Sequence, residues 1–216
     1  MTTVIAIDGA AGAGKSTLAH RLAAELGLPY VNTGLMYRAV ALHAHREGVS
    51  PQDATALERL ARGLRFDLDS SVRPPELRID GRVPEPALTS AVVESSVSEV
   101  SSHPEVREVL RREQRRLAVD GAVMEGRDIG SVVAPDADLK LFLRAHPDER
   151  VGRRALERDS DPEHVARALG TRDRQDARTN PFVPAPEAIV LDTTELSPDE
   201  VAQRALALVR ERGLAR

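Results

Sequence analysis

The segment that most constrains this chain runs from Val4 to Thr17. The apolar run Val4-Ile5-Ala6-Ile7 ends at Asp8 and leads into Gly9-Ala10-Ala11-Gly12-Ala13-Gly14-Lys15-Ser16-Thr17. Leu18, Leu22 and Leu26 then recur at helical spacing. A strand, a glycine-rich turn and a helix, with Gly9 followed after four residues by Gly14-Lys15-Ser16, make up the phosphate-binding P-loop pattern. Glycines let the backbone turn so that successive N–H groups of Gly9 to Thr17 point at phosphate oxygens. The start of the helix adds partial positive charge. Lys15 is then placed to bridge β- and γ-phosphates, and the Ser16 hydroxyl to ligate magnesium. A bland glycine/alanine turn would not need a lysine, and the chain has only one other, Lys140.

The rest of the composition narrows the class. With 216 residues there is room for one sizeable core and a small inserted unit. Apolar residues at 41% and charged residues at 30% indicate a globular protein, and aromatics at 2% leave the core to Leu, Val, Ile and Ala. The absence of cysteine excludes disulfides and thiolate metal sites. No leader-like segment or membrane-length apolar run is present, so a cytoplasmic protein with no membrane partner is expected. A net charge of −4 argues against nucleic-acid partners. Of the 30 lysines and arginines, all but Lys15 and Lys140 are arginine. Arginine forks suit phosphate, but GC-rich coding produces the same bias, so placement has to decide.

Taken in order, residues 3–8 predict a strand and 15–27 a helix capped by Gly27. Residues 29–31 predict a short strand, and Asn32-Thr33-Gly34 a turn into a helix that Gly48 stops. Ser50 is the expected N-cap of the next helix, with Pro51 at its first position and an end near Gly63. Two alternating segments, 64–69 and 77–80, predict short antiparallel strands around a Ser/Pro turn. Residues 87–100 predict a serine-rich helix, and His103-Pro104 opens a stronger one with Val106, Val109, Leu110 and Leu117 on one face. Strands follow at 122–124, 139–143 and 188–191. A helix broken near Asp159-Ser160-Asp161-Pro162 should run from Pro147 to about Gly170, and Ser197-Pro198 should cap the last one. Alternating strands and helices after a P-loop give an α/β fold, a parallel sheet flanked by helices, with ligands at the carboxyl ends of its strands.

Two polar clusters follow predicted strands, and a third follows the broken helix. Asn32-Thr33-Gly34 with Tyr37-Arg38 reads as a ligand site or as a helix cap with surface residues. Gly126-Arg127-Asp128 reads as a ligand site or as a structural ion pair. Arg172-Asp173-Arg174-Gln175-Asp176-Ala177-Arg178 reads as a ligand site or as a solvated helix face.

Together these segments resemble the bacterial cytidylate kinases, nucleoside-monophosphate kinases of the P-loop fold. The resemblance is carried by Asp8-Gly9 with the P-loop, by Asn32 to Arg38, and by Glu125 to Val133. Pro135-Asp136-Ala137, Arg172-Asp173 with Asp176, and Ala188 to Thr194 extend it along the whole chain. It implies a core of residues 1–63, 101–150 and 180–216, a β-containing NMP-binding insertion at about 64–100, and a short helical lid at about 151–179. It implies ATP and Mg2+ at the P-loop, with Arg153 and Arg154 approaching the triphosphate, and CMP or dCMP as acceptor. Thr33, Tyr37 and Arg38 would face the monophosphate. Ser98, Arg107, Arg127 and Asp128 would read the base, Arg172 would reach the phosphate, and Asp176 the sugar hydroxyls. Lys15, Arg127 and Arg172 would be the catalytic cations, and a monomer is expected.

Three positions depart from the family pattern. Asn32 stands in place of an aspartate, Ala10 in place of a proline, and Arg178 one position earlier than the last lid arginine. The expected reaction is phosphoryl transfer to CMP in pyrimidine nucleotide metabolism, with another small P-loop kinase as the alternative. A P-loop switch or ATPase is the rival from another class, but no Asn-Lys-x-Asp motif for guanine occurs.

Overall fold

The computed structural model describes residues 2–214. Strand β1 (Val4–Gly9) is followed by α1 (Lys15–Leu26), β2 (Tyr30–Asn32), α2 (Thr33–Glu47) and α3 (Ala54–Gly63). Next come β3 (Phe66–Asp69), β4 (Glu76–Ile79), a 3-10 turn (Pro86–Thr89), α4 (Ala91–Ser102) and α5 (Pro104–Leu117). The chain continues through β5 (Ala122–Gly126), a single π turn (Ile129–Val133), β6 (Leu139–Arg144), α6 (Pro147–Arg158), α7 (Pro162–Thr179), β7 (Ile189–Asp192) and α8 (Pro198–Glu211).

The strands form one sheet in the order β3-β4-β2-β5-β1-β6-β7, parallel except for the β3/β4 pair. Its centre is apolar on both faces, as a parallel sheet between helices requires. Alternation along each strand divides the core in two. Ala6 of β1 and Ala122 and Met124 of β5 pack toward α2, α3 and α5. Ile5, Ile7, Val123 and Leu141 pack toward α1 and α8. A third, small cluster joins Ala11 of the P-loop to Ala155 of α6 and to Val165 and Leu169 of α7. Those two helices therefore sit over the phosphate loop.

Most element expectations hold within a residue or two, and three are corrected. Asp53, not Ser50, caps α3, its carboxylate accepting from Ala56 N at 2.9 Å, while the Ser50 hydroxyl donates to Gln52. Pro51 lies in the preceding turn. Gly170 does not end α7, which continues nine residues to Thr179. A mid-helix glycine costs only about 1 kcal/mol relative to alanine, and the residues after it gain partners described below. The serine-rich segment divides at Ser90, whose extended backbone (ψ 157°) separates the 3-10 turn from α4.

Candidate active site

Two of the cavities at the carboxyl ends of the strands adjoin the P-loop. One, of about 340 Å³, lies between the ends of β2 and β5 and helices α2, α4, α5 and α7. The other, of about 390 Å³, runs along the P-loop beneath α6 and toward the loop after β7. Lys15, Ser16, Arg154 and Glu157 line both, so the cavities meet at the P-loop lysine.

The P-loop is built by close approach. At Gly9 the φ angle is 145°, and a Cβ there would stand 2.3 Å from the Leu143 carbonyl oxygen of β6. Only glycine fits. Gly12 faces the backbone of Arg150 at the start of α6, where a Cβ would meet atoms at 3.1 Å. Arg150 ties this approach down: Nη1 donates to Ala11 O at 3.0 Å and Nη2 to Asp173 Oδ2 of α7 at 2.8 Å. The Lys15 amine is buried and donates to Ala10 O at 2.8 Å. Burial, and then the nearby Arg127 cation, pull its pKa down to about 7. Asp8, at the end of β1, accepts from the Ile129 and Gly130 amides at 2.8 Å each. Burial pushes its pKa up to about 6 despite those two donors.

The first cavity brings together every residue expected on the acceptor side. Thr33, Tyr37 and Arg38 come from α2, Ser98 from α4 and Arg107 from α5. Arg127 and Asp128 follow β5, and Arg172 and Asp176 lie on α7. They are also bonded to one another. Asp128 Oδ2 accepts from Arg107 Nη2 at 2.7 Å and from Arg111 Nη2 at 2.9 Å. Asp176 accepts from Arg127 Nε and Nη2 and from the Ser98 hydroxyl at 2.8 Å. Arg127 also donates to the Gly9 carbonyl, and Phe182 lies 5.5 Å from its guanidinium carbon. Arg127 thus reaches from the acceptor side to the P-loop. Thr33 donates to the Glu125 carbonyl at 2.7 Å.

The second cavity is lined by Gly12 to Thr17 and by both expected lid arginines. Arg153 donates to Thr193 Oγ1 at 3.2 Å and to the Thr193 carbonyl, which joins α6 to the loop after β7. Arg154 donates to Glu157 at 2.7 Å. Arg178 is exposed and lines neither cavity; Thr179 and Asn180 take the cavity positions after it.

Asn32 has a physical reason. Its Oδ1 accepts from Leu35 N at 3.3 Å and caps α2, while Nδ2 donates to the Tyr30 hydroxyl at 3.1 Å. That hydroxyl gives its own proton to Glu125 Oε1 at 2.6 Å. A carboxylate at position 32 could not donate and would face Glu125 across the phenol. Burial and the Glu125 charge push the Tyr30 hydroxyl pKa far up.

Sequence reasoning passed over Glu94, Arg111, Arg150 and Phe182. Glu94 stands one helical turn before Ser98 on α4, and that i, i+4 spacing was its only signal. The other three act through contacts distant in sequence.

Among the described residues, no helix is long and apolar enough to cross a membrane. A family model for cytidylate kinase matches residues 5–211. The chain is 42% identical over 219 residues to "Cytidylate kinase" of Solibacter usitatus (strain Ellin6076), covering 97% of this chain and 93% of that protein. It is 43% identical over 223 residues to "Cytidylate kinase" of Paramagnetospirillum magneticum (strain ATCC 700264 / AMB-1), covering 97% and 98%. A crystal structure of an uncharacterized protein from Eubacterium ventriosum ATCC 27560 superposes with a TM-score of 0.56 at 12% identity, over 98% of this chain and 99% of that one, a likeness of fold alone. With a match across nearly its whole length and a site of this geometry at its strand ends, this chain belongs to the cytidylate kinase family.

Proposed function

We propose that the enzyme transfers the γ-phosphoryl group of ATP to CMP or dCMP, with ADP and the nucleoside diphosphate as products. The observation that carries this reading is the meeting of two cavities at Lys15, one with a P-loop floor and the other walled by arginines and paired carboxylates. ATP belongs in the P-loop cavity, whose backbone amides and Lys15 suit a triphosphate. The monophosphate belongs in the other, with its phosphate toward Arg38 and Arg172 and its base toward Asp128 and Arg107. Cytosine presents an amino donor and a ring acceptor, which a carboxylate beside an arginine complements; uracil presents the reverse.

The acceptor phosphate is ionised at neutral pH, so no general base is needed. Catalysis is positioning and charge cancellation. Lys15 would neutralise the β/γ oxygens, Arg127 reaches from the acceptor cavity to the Gly9 carbonyl of the P-loop, and Arg172 arrives from α7. Helices α6 and α7, lying over Ala11 and Gly12, exclude water from the transferring group. Among the described residues no three His, Cys, Asp or Glu side chains are placed to hold a metal. The exposed Ser16 hydroxyl at the junction fits magnesium, which is held mainly by phosphates and water and takes one or two protein oxygens. When bound, the ion would screen the phosphate charges. Residues 64–100 would act as the NMP-binding insertion and 151–179 as the lid, in a cytoplasmic monomer.

The test is ADP release coupled to a reporter across all nucleoside monophosphates. CMP and dCMP should be the best acceptors, UMP far poorer and purine nucleotides inactive. ADP release at the same rate without an acceptor would overturn the reading in favour of an ATPase.

A further inference from the structure

The two arginines expected to bind the acceptor phosphate are held by a carboxylate of the chain itself. Arg38 is buried, and it donates from Nη1 to the Leu88 carbonyl at 2.8 Å and from Nη2 to Glu94 Oε1 at 2.6 Å. The other Glu94 oxygen, Oε2, lies 3.6 Å from Arg172 Nη1. Arg172 Nε is buried without a hydrogen-bond partner, and Asp176 Oδ2 stands 3.7 Å from it. One carboxylate thus lies between a guanidinium from α2 and one from α7. Its two oxygens offer them what two oxygens of a phosphate monoester would offer.

We propose that Glu94 is a stand-in for the acceptor phosphate. It keeps Arg38 and Arg172 at phosphate-binding spacing in the free enzyme and yields them to the incoming monophosphate. This rests on the CMP kinase reading. Without such a group, the buried guanidinium of Arg38 and the partly buried one of Arg172, facing one cavity, would repel each other and attract any small anion. With Glu94 in place, an anion must displace a carboxylate of like charge. Inorganic phosphate has nothing else with which to offset that cost. A nucleoside monophosphate has, because its base and sugar gain contacts at Asp128, Arg107 and Ser98 in the same cavity. Glu94 therefore sets the preference for a nucleotide over a free anion. Because Ser98, one turn further along α4, also donates to Asp176 of α7, release of Arg172 by Glu94 alters a polar link between these helices and leaves the Ser98 bond in place.

Glu94→Gln keeps the side-chain length and an acceptor for Arg38 but removes the charge. Inorganic phosphate, measured by calorimetry and as a competitor of CMP, should bind this variant at least tenfold more tightly than wild type, and the KM for CMP should fall severalfold. Glu94→Ala should also bind phosphate more tightly, although loss of the Arg38 contact blunts the gain. A merely structural role would weaken both ligands, so the direction of change separates the two. Phosphate binding in both uncharged variants no tighter than in wild type would overturn the proposal. If the enzyme shows no transfer to CMP, the functional reading fails, while the phosphate calorimetry still reports on Glu94.

Discussion

Arg127 and Asp176 are joined by two hydrogen bonds, of 3.1 Å from Nε and 3.0 Å from Nη2, both to Asp176 Oδ2. The pair connects the end of β5 to α7 across 49 residues of sequence and holds Arg127 against the Gly9 carbonyl. Both side chains are largely buried, at 16% and 9% exposed. Removing one partner of such a pair costs more than the pair itself contributes, because a cation is left unpaired. Asp176→Ala should lower kcat/KM for CMP by at least a hundredfold and reduce the melting temperature. Asp176→Asn should retain the fold better while still losing at least tenfold. Steady-state kinetics beside thermal melts would show an error here if Asp176→Ala performed within threefold of wild type.

Lys15→Ala should reduce turnover to less than about a tenth of wild type, a loss above 1.4 kcal/mol in the barrier. The other lysine, Lys140, donates to Pro186 O at 3.3 Å and lines neither cavity, so it cannot substitute. Turnover above that level would contradict the role given to Lys15.

Nucleotide binding should take up protons in a defined pH window. The Lys15 amine is lowered to about 7 in the free enzyme, first by burial and then by Arg127. A lowered amine pKa means that the free site is largely neutral above pH 7 and protonated below it. The charge of the bound phosphates raises the pKa again, so binding near pH 8 should take up most of a proton at Lys15 and binding near pH 6 much less. Calorimetry of ADP in two buffers of different ionisation enthalpy measures this directly. Uptake that did not fall between pH 8 and pH 6 would place the titration elsewhere.

Base choice should depend on Asp128. Its Oδ2 is already shared by Arg107 and Arg111, which leaves Oδ1 for the cytosine amino group. Asp128→Asn disturbs the readout and leaves two arginines without their anion. We expect kcat/KM for CMP to drop on the order of a hundredfold, about 2.7 kcal/mol, with UMP less affected. The informative quantity is the CMP to UMP ratio, and a ratio equal to wild type would refute the assignment.

Arg172 should matter more to turnover than to affinity. It touches Glu94 and Asp176 only at 3.6 and 3.7 Å, and its Nε is unsatisfied, so its best contacts await the reacting phosphates. A contact that strengthens toward the transition state appears in kcat. Arg172→Ala should lower kcat on the order of a thousandfold, as removal of an arginine finger does. Arg172→Lys should recover only part, because an ammonium cannot span two oxygens. Turnover within a few-fold of wild type for both variants would return Arg172 to a structural ion pair.

The sequence alone determined the parts that follow from local chemistry. The P-loop was legible because only glycine tolerates the backbone of Gly9 and a buried cation was needed at position 15. Alternation along β1 and β5 and helical spacing in α5 were legible because a two-faced sheet between helices imposes those periods. Each of the acceptor-side residues was marked by its place just after a strand or by family resemblance. Tertiary structure decided which of them pair. Arg107 and Arg111 lie one turn apart, yet their common partner, Asp128, comes from the end of β5. Glu94 reads as an ordinary surface residue of a serine-rich helix until α2 and α7 bring Arg38 and Arg172 to it. Local competition also required the fold or its details: Asp53 displaced Ser50 as the cap of α3, and α7 ran through Gly170 toward Asp176 and its bonds to Arg127 and Ser98. Backbone preferences act over a few residues and can be read in order along the chain. Ion pairs and cavities depend on which helix faces which, and that is settled only when the sheet order brings distant segments together.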